Sequence, residues 1–215
     1  MKNLIIYAHP DKEKSHCSKV LNFLISQISE KKEDYQLIDL YSDKFNPCLE
    51  MPDLRSKNPI DSLAISYQNS IKSSEKIFFI YPIWWYTYPA IVKGFFDKVF
   101  TPGFAYKFRK MAPWMEFCCN AFPWFFSISF LYPIFNAFIP ADRFLKGKKA
   151  IMINTYGGNE AACRVYGCAP KKVADQVVLD FSGISVKRID WFEARKEGED
   201  IPQKIKDKIL SSLSW

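Results

Sequence analysis

The stretch Tyr81–Phe100, "YPIWWYTYPAIVKGFFDKVF", lies where an apolar strand hands over to a helix. On its left, Lys76 to Pro82 contains "IFFIYP" and reads as a strand buried on both faces. On its right, Ile91, Val92, Phe95, Phe96 and Val99 recur at helical spacing. Between Tyr81 and Pro89 stand five aromatic residues and two prolines. Strand-to-helix loops ordinarily favour small polar residues, which cap the helix and tolerate water. A stiff aromatic loop at this place asks for a flat, apolar neighbour.

The same strand-then-helix unit recurs on either side. Leu4 to Ala8 is a short apolar run, followed by Val20, Leu21, Leu24, Ile25 and Ile28. Tyr35 to Asp39 reads as a second strand, with Ile60, Leu63, Ala64, Tyr67 and Ile71 as its helix. "KAIMINT" (Lys149 to Thr155) and "VKRIDWF" (Val186 to Phe192) read as strands four and five. Val173, Val177 and Phe181, four apart, predict the helix between them, and Ile205, Ile209 and Leu213 the last one. Five alternations predict one α/β domain over residues 1–215, a parallel sheet with helices on both faces. In such sheets a ligand sits beyond the carboxyl ends of the strands, where strand order reverses.

Composition narrows the class. A chain of 215 residues, 48% hydrophobic, can bury a substantial core. Only five apolar residues separate Asn3 from His9, too few for a secretory h-region, so a cytoplasmic setting is expected. The net charge of +7 is spread through helical stretches such as Lys204, Lys206 and Lys208. That pattern predicts a solvated basic surface attractive to anionic cofactors, and no nucleic-acid interface. Cys17, Cys48, Cys118, Cys119, Cys163 and Cys168 show no C-x-x-C pairing, and two histidines add little. Reduced, mostly structural thiols and no metal site are expected.

The first strand-to-helix turn holds no glycine, which excludes a G-x-G-x-x-G turn or a Walker loop there. It reads "AHPDKEKSHCSKVL" and contains both histidines of the chain. His9, Ser15, His16 and Ser18 can hold a monophosphate together with the free N–H groups of the helix start. Capping alone would explain Ser15 or Ser18, though not the two histidines. Trp84, Trp85, Tyr86 and Tyr88, stiffened by Pro82 and Pro89, form the aromatic slot. Strand four ends in "NTYGGNE", where Gly157 and Gly158 allow backbone to approach a ligand edge. An anion site, an aromatic slot and a donor-lined edge together describe FMN, or the FMN half of FAD.

At these residues the chain resembles the flavodoxin-like NAD(P)H:quinone oxidoreductases, a family of quinone reductases and potassium-efflux ancillary oxidoreductases. The matching pieces are "LIIYAHPDKEKSHCSKVL", "IFFIYPIWWYTYPAIVKGFFDKVFTPGFAYKF", "LKGKKAIMINTYGG" and "DFSGISVKRIDWF". The resemblance implies a flavodoxin-like five-stranded parallel sheet of order 2-1-3-4-5. It implies flavin contacts at His9, Ser15, His16, Cys17 and Ser18 for the phosphate and ribityl chain. Around the ring it implies Ile83, Trp84, Trp85 and Tyr86, and Thr155, Tyr156, Gly157 and Gly158. It further implies a homodimer with interfacial active sites and ping-pong chemistry, in which NAD(P)H reduces the flavin and a quinone reoxidises it. Relatives place a tyrosine and a histidine after the glycine pair to relay a proton. Here "GGNEAACRVYGCAPKK" has no histidine, leaving Tyr156 and Tyr166 as the catalytic candidates. No adenine-binding extension follows strand five, which favours FMN over FAD.

Between "FAYKFRK" and "ADRFLKGKKA" lies a hydrophobic insertion, residues 111–140, before strand four. Phe117 to Ala141 runs for 25 residues without a charge, long enough to span a bilayer. Pro123, Pro133 and Pro140 interrupt it, and a single span would strand the fourth strand across the membrane. An aromatic lid or dimer-interface element is the favoured reading, and peripheral membrane contact the alternative. The rival functions are a flavin-binding regulatory subunit of a membrane transporter, a nitro- or azo-compound reductase, and a scaffold without cofactor.

Overall fold

A computed structural model of the chain describes residues 2–55, 61–121, 139–195 and 198–215. Five parallel strands form the central sheet: β1 (Asn3–Tyr7), β2 (Tyr35–Asp39), β3 (Lys76–Ile83), β6 (Lys149–Tyr156) and β7 (Ser185–Trp191). Their order is β2-β1-β3-β6-β7, so the direction of winding reverses between β1 and β3. This is the flavodoxin-like 2-1-3-4-5 order. Between β3 and β6 the chain also makes a short antiparallel ribbon, β4 (Tyr106–Phe108) with β5 (Ala141–Arg143). The sequence reading had no place for that ribbon, whose strands are only three residues long.

β1 and β3 are buried at every position, which is why they read as unbroken apolar runs. On one face Ile5, Tyr7, Phe78, Ile80, Ile151 and Ile153 pack beneath α1 (His16–Glu30) and α8 (Gln203–Leu213). On the other, Ile77, Phe79 and Met152 pack beneath α3 (Ser62–Ser73), α4 (Ala90–Val99) and α7 (Lys171–Asp180). Helices α2 (Met51–Arg55), α5 (Pro113–Ala121) and α6 (Glu160–Val165) complete the described elements. Gly94 sets how closely α4 docks: a Cβ there would lie 2.2 Å from the Pro47 carbonyl oxygen.

One sequence expectation changes. In α7 the four-residue spacing of Val173 and Val177 predicts a buried stripe, yet both are exposed. The helix is wound wide, with the Phe181 N–H reaching the Gln176 carbonyl at 3.1 Å. Residues five apart then share a face, so Ala174 and Leu179 are buried instead. Most of the 111–140 insertion, residues 122–138, lies outside the described residues, and so does Ile60. Among the described residues no helix is long and apolar enough to cross a membrane.

Candidate functional site

The loops after β1, β3 and β6 meet at the carboxyl edge of the sheet around a cleft of about 850 Å³. One end is built by the β1–α1 loop. Ser15 is the N-cap of α1: its Oγ accepts the Ser18 N–H at 3.0 Å and donates to the Asp11 carbonyl at 2.6 Å. Ser18 Oγ turns back to the Ser15 carbonyl at 2.7 Å. Asp11 folds its carboxylate onto its own loop, accepting the N–H groups of Glu13 and Lys14 at 2.9 and 3.0 Å. These amides hold its pKa below the ordinary value. His9 Nδ1 faces the Asp11 backbone, 2.9 Å from its carbonyl oxygen and 3.0 Å from its amide nitrogen. Burial pushes the His9 pKa down against the opposing pull of Asp11. His16 stands edge-on to Trp191, with ring centroids 4.9 Å apart. The capped helix start and the two imidazoles beside it suit a phosphate monoester.

The opposite wall comes from the β3–α4 loop. Trp84 and Thr87 exchange backbone hydrogen bonds at 2.9 and 3.0 Å around Trp85 and Tyr86. Both central residues are left-handed, with φ of +50° and +55°. This is the backbone of a type I′ turn, which ordinarily takes Asn-Gly. Left-handed backbone at a residue with a bulky side chain costs about 1–2 kcal/mol. Strain of this kind gathers at binding and catalytic loops. Tyr86 packs on Tyr166 at 4.7 Å, while Trp85 is 98% exposed at the rim.

The third side is the turn after β6. A Cβ on Gly157 would meet nothing within 4 Å, and one on Gly158 would come within 3.0 Å of the Tyr86 hydroxyl. Glycine at 158 thus lets the aromatic wall close on the β6 turn. Residues after β7 strap this turn: the Ala194 N–H donates to the Tyr156 carbonyl at 2.9 Å and the Glu193 N–H to the Gly158 carbonyl at 3.0 Å. The Arg195 guanidinium donates to the Gly157 carbonyl.

Beneath the turn lies a buried ionic cluster. Arg188 makes a two-pronged contact with Asp175 at 2.8 and 2.5 Å, and donates to Asn154 Oδ1 at 2.6 Å and Asp190 at 3.3 Å. Burial pushes the Asp175 and Asp190 carboxyls above the usual carboxylate range. Burial also works against the charge of Arg188, but its bonds to Asp175 prevail and raise its pKa.

His9, Ser15, His16, Ile83, Trp84, Trp85, Tyr86, Thr155, Tyr156, Gly157 and Gly158 all line the cleft. Cys17 and Ser18 do not: both are buried behind it, with Cys17 Sγ 3.2 Å from Thr155 Oγ1. Burial pushes the Cys17 thiol up to about 12, which leaves it protonated. The Tyr156 hydroxyl is 3.5 Å from Arg188, within the buried cluster. Tyr166 stands behind Tyr86 rather than on the lining. Pro82, which stiffens the aromatic slot, lines the cleft as well, and so do Asp11 and Ala194, which the sequence did not single out, nor Arg188, Asp175 and Asp190 beneath it. Of these, only Asp11 stands close enough to a predicted residue in the chain to have been signalled.

A family defined by a flavodoxin-like fold matches residues 1–118, and the chain belongs to it. A protein of Haemophilus influenzae called an uncharacterized NAD(P)H oxidoreductase is 37% identical over 110 residues, 50% of this chain and 54% of its own. The NAD(P)H dehydrogenase [quinone] 1 of Cavia porcellus is 28% identical over 128 residues, 50% of this chain and 46% of its own. The chain thus spans about half the length of the curated relatives it matches. An FMN-dependent NADH-azoreductase from Bacillus anthracis, solved in complex with FMN, superposes with a TM-score of 0.70 at 17% identity. That match covers 99% of this chain and 97% of the azoreductase, and carries the fold over the second half as well.

Proposed function

We propose that the chain is a flavin-dependent NAD(P)H oxidoreductase that passes two electrons to a quinone or a similar planar acceptor. The observation that carries this reading is the convergence of a phosphate-compatible helix start, an aromatic wall and a glycine edge on one cleft at the strand-order reversal. Its residues fit FMN. His9, Ser15 and the first N–H groups of α1 would hold the phosphate, Trp84 and Tyr86 would flank the ring, and the Thr155–Gly158 backbone would meet its polar edge. When bound, FMN supplies the two-electron carrier between NAD(P)H and the acceptor. The chain's own tasks are to orient the stacked partners, exclude water, and present backbone N–H groups to negative charge gathering at the glycine edge.

FMN rather than FAD is supported by the likeness to an azoreductase solved with FMN bound. A homodimer is supported by the exposed apolar side chains Trp85, Val165 and Tyr166 near the rim. A quinone acceptor accords with the Cavia porcellus enzyme's name, and two-step ping-pong turnover with a single cleft serving both partners.

The test is a titration of FMN with purified protein, followed by NADPH oxidation with menadione as acceptor. Saturable quenching of FMN fluorescence and steady turnover are expected, with both lost in His9→Ala/Ser15→Ala. Bound flavin without turnover would replace the enzyme with a flavin-binding subunit, and absence of quenching would remove the cofactor altogether.

A further inference from the structure

Helix α6 ends in "CRVYGC", Cys163 to Cys168. Gly167 takes the left-handed backbone at φ +78° just past the helix end. Its N–H reaches the Arg164 carbonyl at 3.1 Å, and the Cys168 N–H reaches the Cys163 carbonyl at 2.9 Å. This pair of bonds is a Schellman motif, whose geometry brings the side chain just after the glycine against the one five residues earlier. That contact is usually made by two apolar side chains. Here both are cysteines, and Cys163 Sγ lies 3.1 Å from Cys168 Sγ. The C-x4-C spacing with glycine before the second cysteine is the sequence signal, distinct from a C-x-x-C pair.

The two thiols are not equivalent. Cys163 is 2% exposed, and burial pushes its thiol up to about 12, with Cys168 adding to the shift. Cys168 is half-buried, reachable from solvent, and itself left-handed at φ +47°. Both are free thiols.

We propose that Cys163 and Cys168 form a thiol–disulfide exchange site that accepts low-molecular-weight disulfides. Cys168, as thiolate, attacks one sulfur of the disulfide RSSR, and RS⁻ leaves and takes up a proton. Cys163 then gives up its proton, and its sulfur attacks the Cys168 sulfur of the mixed disulfide. That step releases the second RS⁻, which is protonated in turn. The pair loses two electrons and two protons, the small disulfide gains them, and the products are one internal disulfide and two RSH. The turn already holds the sulfurs together, so the second attack needs no rearrangement of the fold. Tyr166 lies inside the closed loop with its ring on Tyr86 of the cleft wall, so the bond would fix that stack. The exchange chemistry stands whether or not the cleft takes a flavin.

The test uses the full chain with oxidised glutathione, quenched in acid, alkylated in denaturant and digested with trypsin. Cleavage after Arg164 separates the two cysteines, so the internal bond appears as peptide 150–164 joined to peptide 165–171. This joined pair is expected to become the dominant form and to vanish under dithiothreitol. Cys163→Ser is expected to stall at a glutathionyl adduct on Cys168. Cys168→Ser is expected to slow modification of Cys163 at least about tenfold, because the remaining thiol is buried and protonated. Recovery of both cysteines alkylated in the treated wild-type chain would overturn the proposal, leaving an apolar contact made by sulfur. A stable adduct on Cys168 in the wild type, with no joined peptide, would overturn it equally.

Discussion

The two ends of the cleft are held in place by different physics. At the His9 end, the capping is supplied by the loop itself: Ser15, Asp11, Ser18 and His9 bond to backbone groups no more than four residues away, with Lys12 reaching Asp39 of β2 as an outside tie. At the Gly157 end nothing local suffices. The turn is strapped by Ala194 and Glu193, rests on Arg188, and meets a strained aromatic loop from another strand. A locally capped loop can be altered piece by piece, whereas a turn hung on distant partners fails together with them.

That contrast can be broken most sharply at Arg188. Arg188→Met would leave Asp175 and Asp190 buried without their cation, and removing one partner of a buried pair costs about 3–5 kcal/mol. The two carboxyls, already raised by burial, would rise further and take up protons on folding. Their folded pKa values would then exceed the unfolded ones, so the loss is full at neutral pH and shrinks on acidification. Thermal unfolding at pH 7.5 and pH 5 checks this, and an equal deficit at both would contradict it.

The aromatic turn is expected to respond in the opposite direction. Trp85→Asn supplies the residue a type I′ turn prefers at its first central position while Tyr86 keeps its packing on Tyr166, and relieving the left-handed strain there would stabilise the fold by about 1 kcal/mol. Denaturant midpoints measure the gain, and FMN affinity should fall in the same variant. A destabilised variant would show that the exposed indole contributes to folding after all. The smallest effect belongs to the His9 end. Ser15→Ala removes one N-cap and should cost about 1 kcal/mol in urea unfolding, leaving the Gly157 end intact. A larger loss would mean the two ends are coupled.

The same contrast decides what was legible in the sequence. Strand order and helix positions follow from runs and periods that each segment carries within itself, as in Lys76–Ile83 and Ala90–Val99. The Ser15 cap was legible for that reason. Arg188, Asp175 and Asp190 were not, because each looks like an ordinary charged residue until β6, α7 and β7 assemble. Val173 and Val177 misled because the periodicity argument assumes ordinary helical winding, and α7 is wound wide. The Cys163–Cys168 contact needed knowledge of how α6 ends.

The close approach at Gly94 has a bearing on how the cleft admits anything. With α4 seated against the Pro47 backbone and β3 in the middle of the sheet, the aromatic loop is anchored at both of its roots. Widening the entrance is then expected to come from rotation of the Trp84 and Tyr86 side chains about their own bonds, a gate of torsion angles more than of moving backbone.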